Sequence, residues 1–153
     1  MNTQLPTIYT VFEREILLTF LDQLEQNAFN SEIDVKSWAS QHVPQEMSDK
    51  VMAFLFSDGE EIDSEKVFRK SKALRKEILE LETIDISVPS ELSVHIISKI
   101  SNFINESKAK RVLLNIQYEK DLIAGAVVAS RGYILENSIR SYFENRKGAS
   151  HGF

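Results

Sequence analysis

The sequence predicts an α+β protein, with an N-terminal all-helical bundle followed by a small α/β C-terminal domain. Three observations carry this. Apolar residues recur every three to five positions through the first half, the spacing that lines one side of a helix. At Thr83 the texture changes: Ile84, Ile86 and Val88 alternate with Asp85 and Ser87, the period of two of a half-buried strand. With 153 residues and 42% hydrophobic content, the chain can bury a core but holds at most two small domains. The expected boundaries are 1–83 for the bundle, 84–147 for the α/β domain and 148–153 for a frayed, flexible tail.

The helical half divides into about four elements. After Pro6, the residues Ile8, Val11, Phe12, Ile16, Phe20, Leu21 and Leu24 line a helix of about five turns. Leu17 and Leu18 widen this stripe beyond a narrow seam, so the helix is expected either to be central to the bundle or to keep part of its face for a partner. Residues 27–34 read as a connector. A short helix follows from Val35 to His42, stopped by Pro44, which cannot sit in a helix interior. Met47, Val51, Phe54 and Leu55 form the next helix, closed by the turn run Ser57-Asp58-Gly59. Ser64 is expected to cap a fourth helix carrying Val67, Phe68, Leu74, Ile78 and Leu81.

The second half is expected to run strand, helix, strand, hairpin, helix. Pro89 ends the first strand, and Ser90 is placed to cap a helix lined by Leu92, Ile96, Ile100, Phe103 and Ile104. The strongest strand signal is Val112, Leu114, Ile116 and Tyr118 alternating with Leu113, Asn115 and Gln117. Residues 126–129 and Ile134-Leu135, separated by Arg131-Gly132, read as a hairpin. Asn137 or Ser138 is expected to cap a last helix with Ile139, Tyr142 and Phe143 facing inward.

Composition removes several function classes. A formal net charge of -5 with no basic face argues against nucleic acid, and the densest basic run, Lys108, Lys110 and Arg111, reads as a solvated turn. Cysteine is absent, which excludes thiolate zinc sites and cysteine nucleophiles and fits a reducing compartment. No apolar stretch approaches the roughly 20 residues that cross a bilayer. The stretch from Met1 to Leu18 lacks a basic or arginine-rich start, so the chain is expected to stay in the cytoplasm. His42, His95 and His151 are scattered without metal-ligand spacing, and no Gly-rich loop with lysine follows a strand. Glu60-Glu61 lie in a turn where nothing would raise a carboxylate pKa. No catalytic residue, metal or cofactor is expected.

The segment Tyr118-Glu119-Lys120-Asp121-Leu122-Ile123-Ala124-Gly125 resembles the signature of the delta subunit of F-type ATP synthase, also called the oligomycin-sensitivity-conferring protein. In the segment the acidic Glu119 is followed by Lys120 and Asp121, the two aliphatics Leu122 and Ile123, the small Ala124 and Gly125. The family also places an acidic residue, a small turn residue and serine at a set distance further on. Glu136-Asn137-Ser138 stands at that interval, with Glu136 where aspartate is usual. The resemblance covers residues 85–147, and the first half matches only as a helical bundle, with about four helices against the family's six.

This resemblance implies a non-catalytic stator subunit of the peripheral stalk of a proton-translocating ATP synthase. Such a subunit is peripheral to the cytoplasmic side of the bacterial cell membrane and reaches it only through the complex. Its N-terminal bundle receives the N-terminal helix of the catalytic head's alpha subunit, for which Phe12, Ile16 and Phe20 are the candidate face. Its C-terminal domain holds subunit b. The signature residues Glu119, Leu122, Ile123, Gly125, Glu136 and Ser138 are expected to shape the fold rather than perform chemistry, with Gly125 at a bulge or a close backbone approach. Two other readings remain open: an E-type stalk subunit of a vacuolar or archaeal ATPase, and a free-standing cytoplasmic adaptor. The breaks at Pro44 and Gly59 argue against the single long N-terminal helix of the E subunit.

Overall fold

The computed structural model describes residues 6–56, 63–108, 110–122, 124–130 and 133–138, with 107–108 and 133–138 described by their backbone. It is an α+β fold whose described residues form two compact units, one holding those within 6–8 and 12–81, the other those within 9–11 and 82–138. The first carries α1 (Val11–Asn27), α2 (Val35–His42), a 3-10 turn (Gln45–Met47), α3 (Ser48–Phe56) and α4 (Ser64–Leu79). The second carries β1 (Glu82–Val88), α5 (Val94–Lys108), β2 (Val112–Tyr118), β3 (Gly125–Ser130) and β4 (Tyr133–Ser138). The expected last helix, with Ile139, Tyr142 and Phe143, lies outside the described residues, as do the expected turns at Ser57-Asp58-Gly59 and Arg131-Gly132.

In the helical unit, Leu17, Leu21 and Leu24 of α1 are fully buried at the i, i+4, i+7 interval, joined by Leu55 of α3 and Leu74 and Ile78 of α4. Ile8 is also buried but precedes α1, because Tyr9 and Thr10 separate it from the helix, which begins at Val11. The fourth helix is capped by Asp63, whose carboxylate accepts from the Glu65 amide at 3.0 Å, so Ser64 is the first helical residue rather than the cap. Asp34 caps α2 in the same way, accepting from Lys36 N at 3.2 Å.

A charged cluster ties α1 to α4. Glu25, with only 10% of its side chain exposed, accepts from Ser71 Oγ at 2.9 Å and Arg75 Nε at 3.2 Å, and pairs with Lys72 Nζ at 2.9 Å. Arg75 also reaches Asp22. Burial pushes the Glu25 carboxyl pKa up, but the hydrogen bonds from Lys72, Ser71 and Arg75 and the Arg75 charge outweigh it and hold the group below its ordinary value of 4.5. Because the folded pKa is the lower one, this stabilisation is present above pH ~4.5 and is lost as pH falls through the depressed value. Glu25→Gln is expected to cost about 1.5–3 kcal/mol at pH 7. Urea unfolding at several pH values checks this: the gap between wild type and variant should close on acidification.

The second unit is a four-stranded sheet in the order β2-β1-β3-β4, with β1 and β2 parallel and the other pairs antiparallel. A parallel pair needs a crossover, which α5 supplies. One face of the sheet is apolar, with Ile84, Ile86 and Val88 of β1 beside Val112 and Leu114 of β2, and Ile97, Ile100 and Ile104 of α5 pack against it. On the other face Asn115 donates to Asp85 at 2.7 Å across the parallel pair. The helix α5 starts at Val94, not after Ser90: Ser93 Oγ accepts from the Ile96 amide at 3.4 Å, and Leu92, expected inside the helix, packs on the core from the preceding loop. At its other end Asn105 Oδ1 accepts from Val112 N at 2.8 Å, fixing where β2 begins.

Candidate functional site

A groove of about 240 Å³ opens on the helical unit, lined by Ile16, Thr19, Phe20, Gln23, His42 and Pro44. The first four lie at i, i+3, i+4 and i+7 on α1 and form one continuous stripe; the last two, from the end of α2 and the loop beyond it, make the facing wall. Helix α2 ends there because Val43, the residue before Pro44, adopts extended backbone, with its amide closing on Ala39 O at 2.9 Å.

The floor is aromatic. Phe20 is 3% exposed and stacks on Trp38 at 6.0 Å, and Trp38 stacks on His42 at 4.4 Å, both pairs with rings 12° from parallel. His42 Nδ1 donates to the Trp38 carbonyl at 2.8 Å, which fixes the imidazole against the indole. Ile16 is 37% exposed at the rim, and Phe12, one turn before it, is 74% exposed. The three α1 residues singled out in the sequence therefore fall in different places. Phe20 belongs to the packed floor, Ile16 to the rim, and Phe12 lies in the open on the extension of the stripe. Thr19, Gln23, His42 and Pro44 were missed as lining residues. A helical wheel begun at Ile16 picks up Thr19 and Gln23, but a search for apolar positions discards them.

The signature residues gather elsewhere, in the sheet unit. Glu119 N donates to Val88 O at 2.9 Å, and Leu122 N closes a turn on Glu119 O at 3.1 Å, so this segment ties the C-terminal ends of β1 and β2. Leu122 is 5% exposed. Ile123 lies outside the described residues. Gly125 opens β3 with φ of 100° and pairs with Ser138; Glu136 pairs with Val127. The two signature segments thus meet in one ladder. Asn137 and Ser138 lie in β4 there, so neither they nor Glu136 stands as the start of a helix among the described residues.

Gly125 is exposed, so close approach of another element does not explain it. Its positive φ does, since a Cβ is disfavoured there and a β-branched one is an outlier. Gly125→Val is expected to lower the stability of the sheet unit by about 1–3 kcal/mol, and Gly125→Ala by less. Thermal unfolding of both variants checks this order.

His95 is exposed on α5 and His42 is engaged with Trp38, whereas His151, Glu60 and Glu61 lie outside the described residues. Among the described residues no group of three or more metal-binding side chains comes together, and no helix is long and apolar enough to cross a membrane.

No protein-family model matches the chain. No curated protein matches it either. Among solved structures, a chain from the mitochondrial ATP synthase hexamer of Toxoplasma gondii is similar at a TM-score of 0.40 and 10% identity, over 87% of this chain and 96% of that one. A likeness that loose carries no argument about this chain.

Proposed function

We propose that the chain is a non-catalytic stator subunit of the peripheral stalk of an F-type ATP synthase. In this reading the groove on α1 receives the N-terminal helix of the catalytic head's alpha subunit, and the sheet unit holds subunit b. The observation that carries the reading is the meeting of the two delta-type signature segments in the β3–β4 ladder, Gly125 opposite Ser138. The helical unit supports it: the stripe Ile16, Thr19, Phe20 and Gln23 has the length and spacing that helix-in-groove recognition uses. The longest helix among its described residues, α1, has 17 residues, unlike the single long helix of an E-type subunit.

The chain would then work mechanically. It would bind no nucleotide and would sit on the cytoplasmic side of the bacterial cell membrane through its partners alone. Each partner surface would cover about 800 Å² for stable association. Tagged chain isolated from its own cells, without crosslinking, should bring down both alpha and subunit b. Recovery of vacuolar-type stalk subunits would favour the E-type alternative, and recovery of neither set would leave the free-standing adaptor.

A further inference from the structure

Tyr9, Thr10 and Val11 are residues that favour extended backbone, and they are the part of the N-terminal half that joins the sheet unit. Thr10 bridges Leu114 of β2 in parallel, and Leu114 N donates to Tyr9 O at 2.8 Å. The amide one pleat earlier on that edge, Val112, is taken by the Asn105 side chain. Two amides on the outer edge of β2 are therefore taken, one by a side chain and one by a short added pairing, which covers part of a sheet edge.

Both ends of this segment are held in the helical unit. On one side Pro6 and Ile8 are buried, and Lys50 Nζ donates to Thr7 Oγ1 at 2.6 Å. On the other, α1 begins at Val11 itself, with no connector after the bridging residue. A segment with no slack at its end cannot leave the sheet edge without disturbing the helix turn it runs into.

We propose that Tyr9 and Thr10 form a short, parallel edge pairing on β2 that makes the opening of the β2 edge and the opening of the first turns of α1 a single event. A ligand that grips those turns would then tighten the sheet edge, and the reverse would follow by thermodynamic reciprocity. The coupling is a property of the free chain and stands apart from the stator reading. Native-state hydrogen exchange by NMR on the full chain, with no ligand, tests it. The amides of Leu114 and Ile16 should exchange through one opening, with protection equal within about twofold. Thr10→Gly, which weakens an extended segment, should speed both by about fivefold and leave the Leu74 amide in α4 unchanged. Leu114 exchanging independently of Ile16 in wild type, or Thr10→Gly moving Leu114 alone or neither amide, would overturn the proposal. Failure of the alpha-subunit peptide to bind would bear on the stator reading only.

Discussion

Phe20→Ala is expected to cost about 3–5 kcal/mol of stability, enough to leave much of the helical unit unfolded at moderate temperature. The ring is 3% exposed, stacks on Trp38 and forms the groove floor, so truncation leaves a cavity bounded by aromatic surfaces that cannot close around it. Phe12→Ala, eight residues earlier on the same helix, removes a ring that is 74% exposed and should change stability by no more than about 0.5 kcal/mol. Chemical denaturation of the two variants side by side separates floor from surface. Equal losses would mean that α1 is seated differently from what is described.

Binding is expected to reverse that order among the folded variants. Phe12 and Ile16 present their side chains outward along the stripe, and anchors of this kind cost roughly 2 kcal/mol or more when truncated, about 30-fold in affinity. The double variant Phe12→Ala with Ile16→Ala should therefore stay folded and lose most affinity for a helical peptide from the alpha subunit. Isothermal titration on the folded double variant checks it. Undiminished affinity would move the docking face off α1.

The reason Phe12, Ile16 and Phe20 part company is geometric. Residues four apart on an α-helix advance about 40° beyond a full turn, so Phe20 has rotated by about 80° from Phe12 and reaches the core. Spacing alone gives the stripe; where its edge falls depends on the wall made by His42 and Pro44, which is a tertiary fact. The alternation at Ile84–Val88 and Val112–Tyr118 was legible because one face of each strand meets α5, whose Ile97, Ile100 and Ile104 cover it. The caps were less legible. Asp63 and Ser64, or Ser90 and Ser93, offer similar oxygens within a few residues of each other, and the packing of the following helix decides which is used.

The edge pairing at Tyr9 and Thr10 left almost no trace in the sequence. Two residues do not establish a period of two, and Val11 and Phe12 continue the helical stripe from Ile8. Only the pairing with Leu114, about a hundred residues away, resolves it. Gly125 is a mixed case. The signature singled it out, but the structure gives it a positive φ, which a one-letter code does not distinguish from close packing.

The central claim is that the α1 groove takes a helix of the catalytic head, and Trp38 is placed to report it. It is the single tryptophan of the chain and stacks between Phe20 and His42 beneath the groove. Titrating the purified chain with a synthetic N-terminal alpha-subunit helix from the same organism, while following Trp38 emission, should give a saturable change that is lost in the Phe12→Ala, Ile16→Ala double variant. An unchanged emission together with no heat of binding at peptide concentrations up to about 1 mM, the range of negligible affinity, would contradict the account.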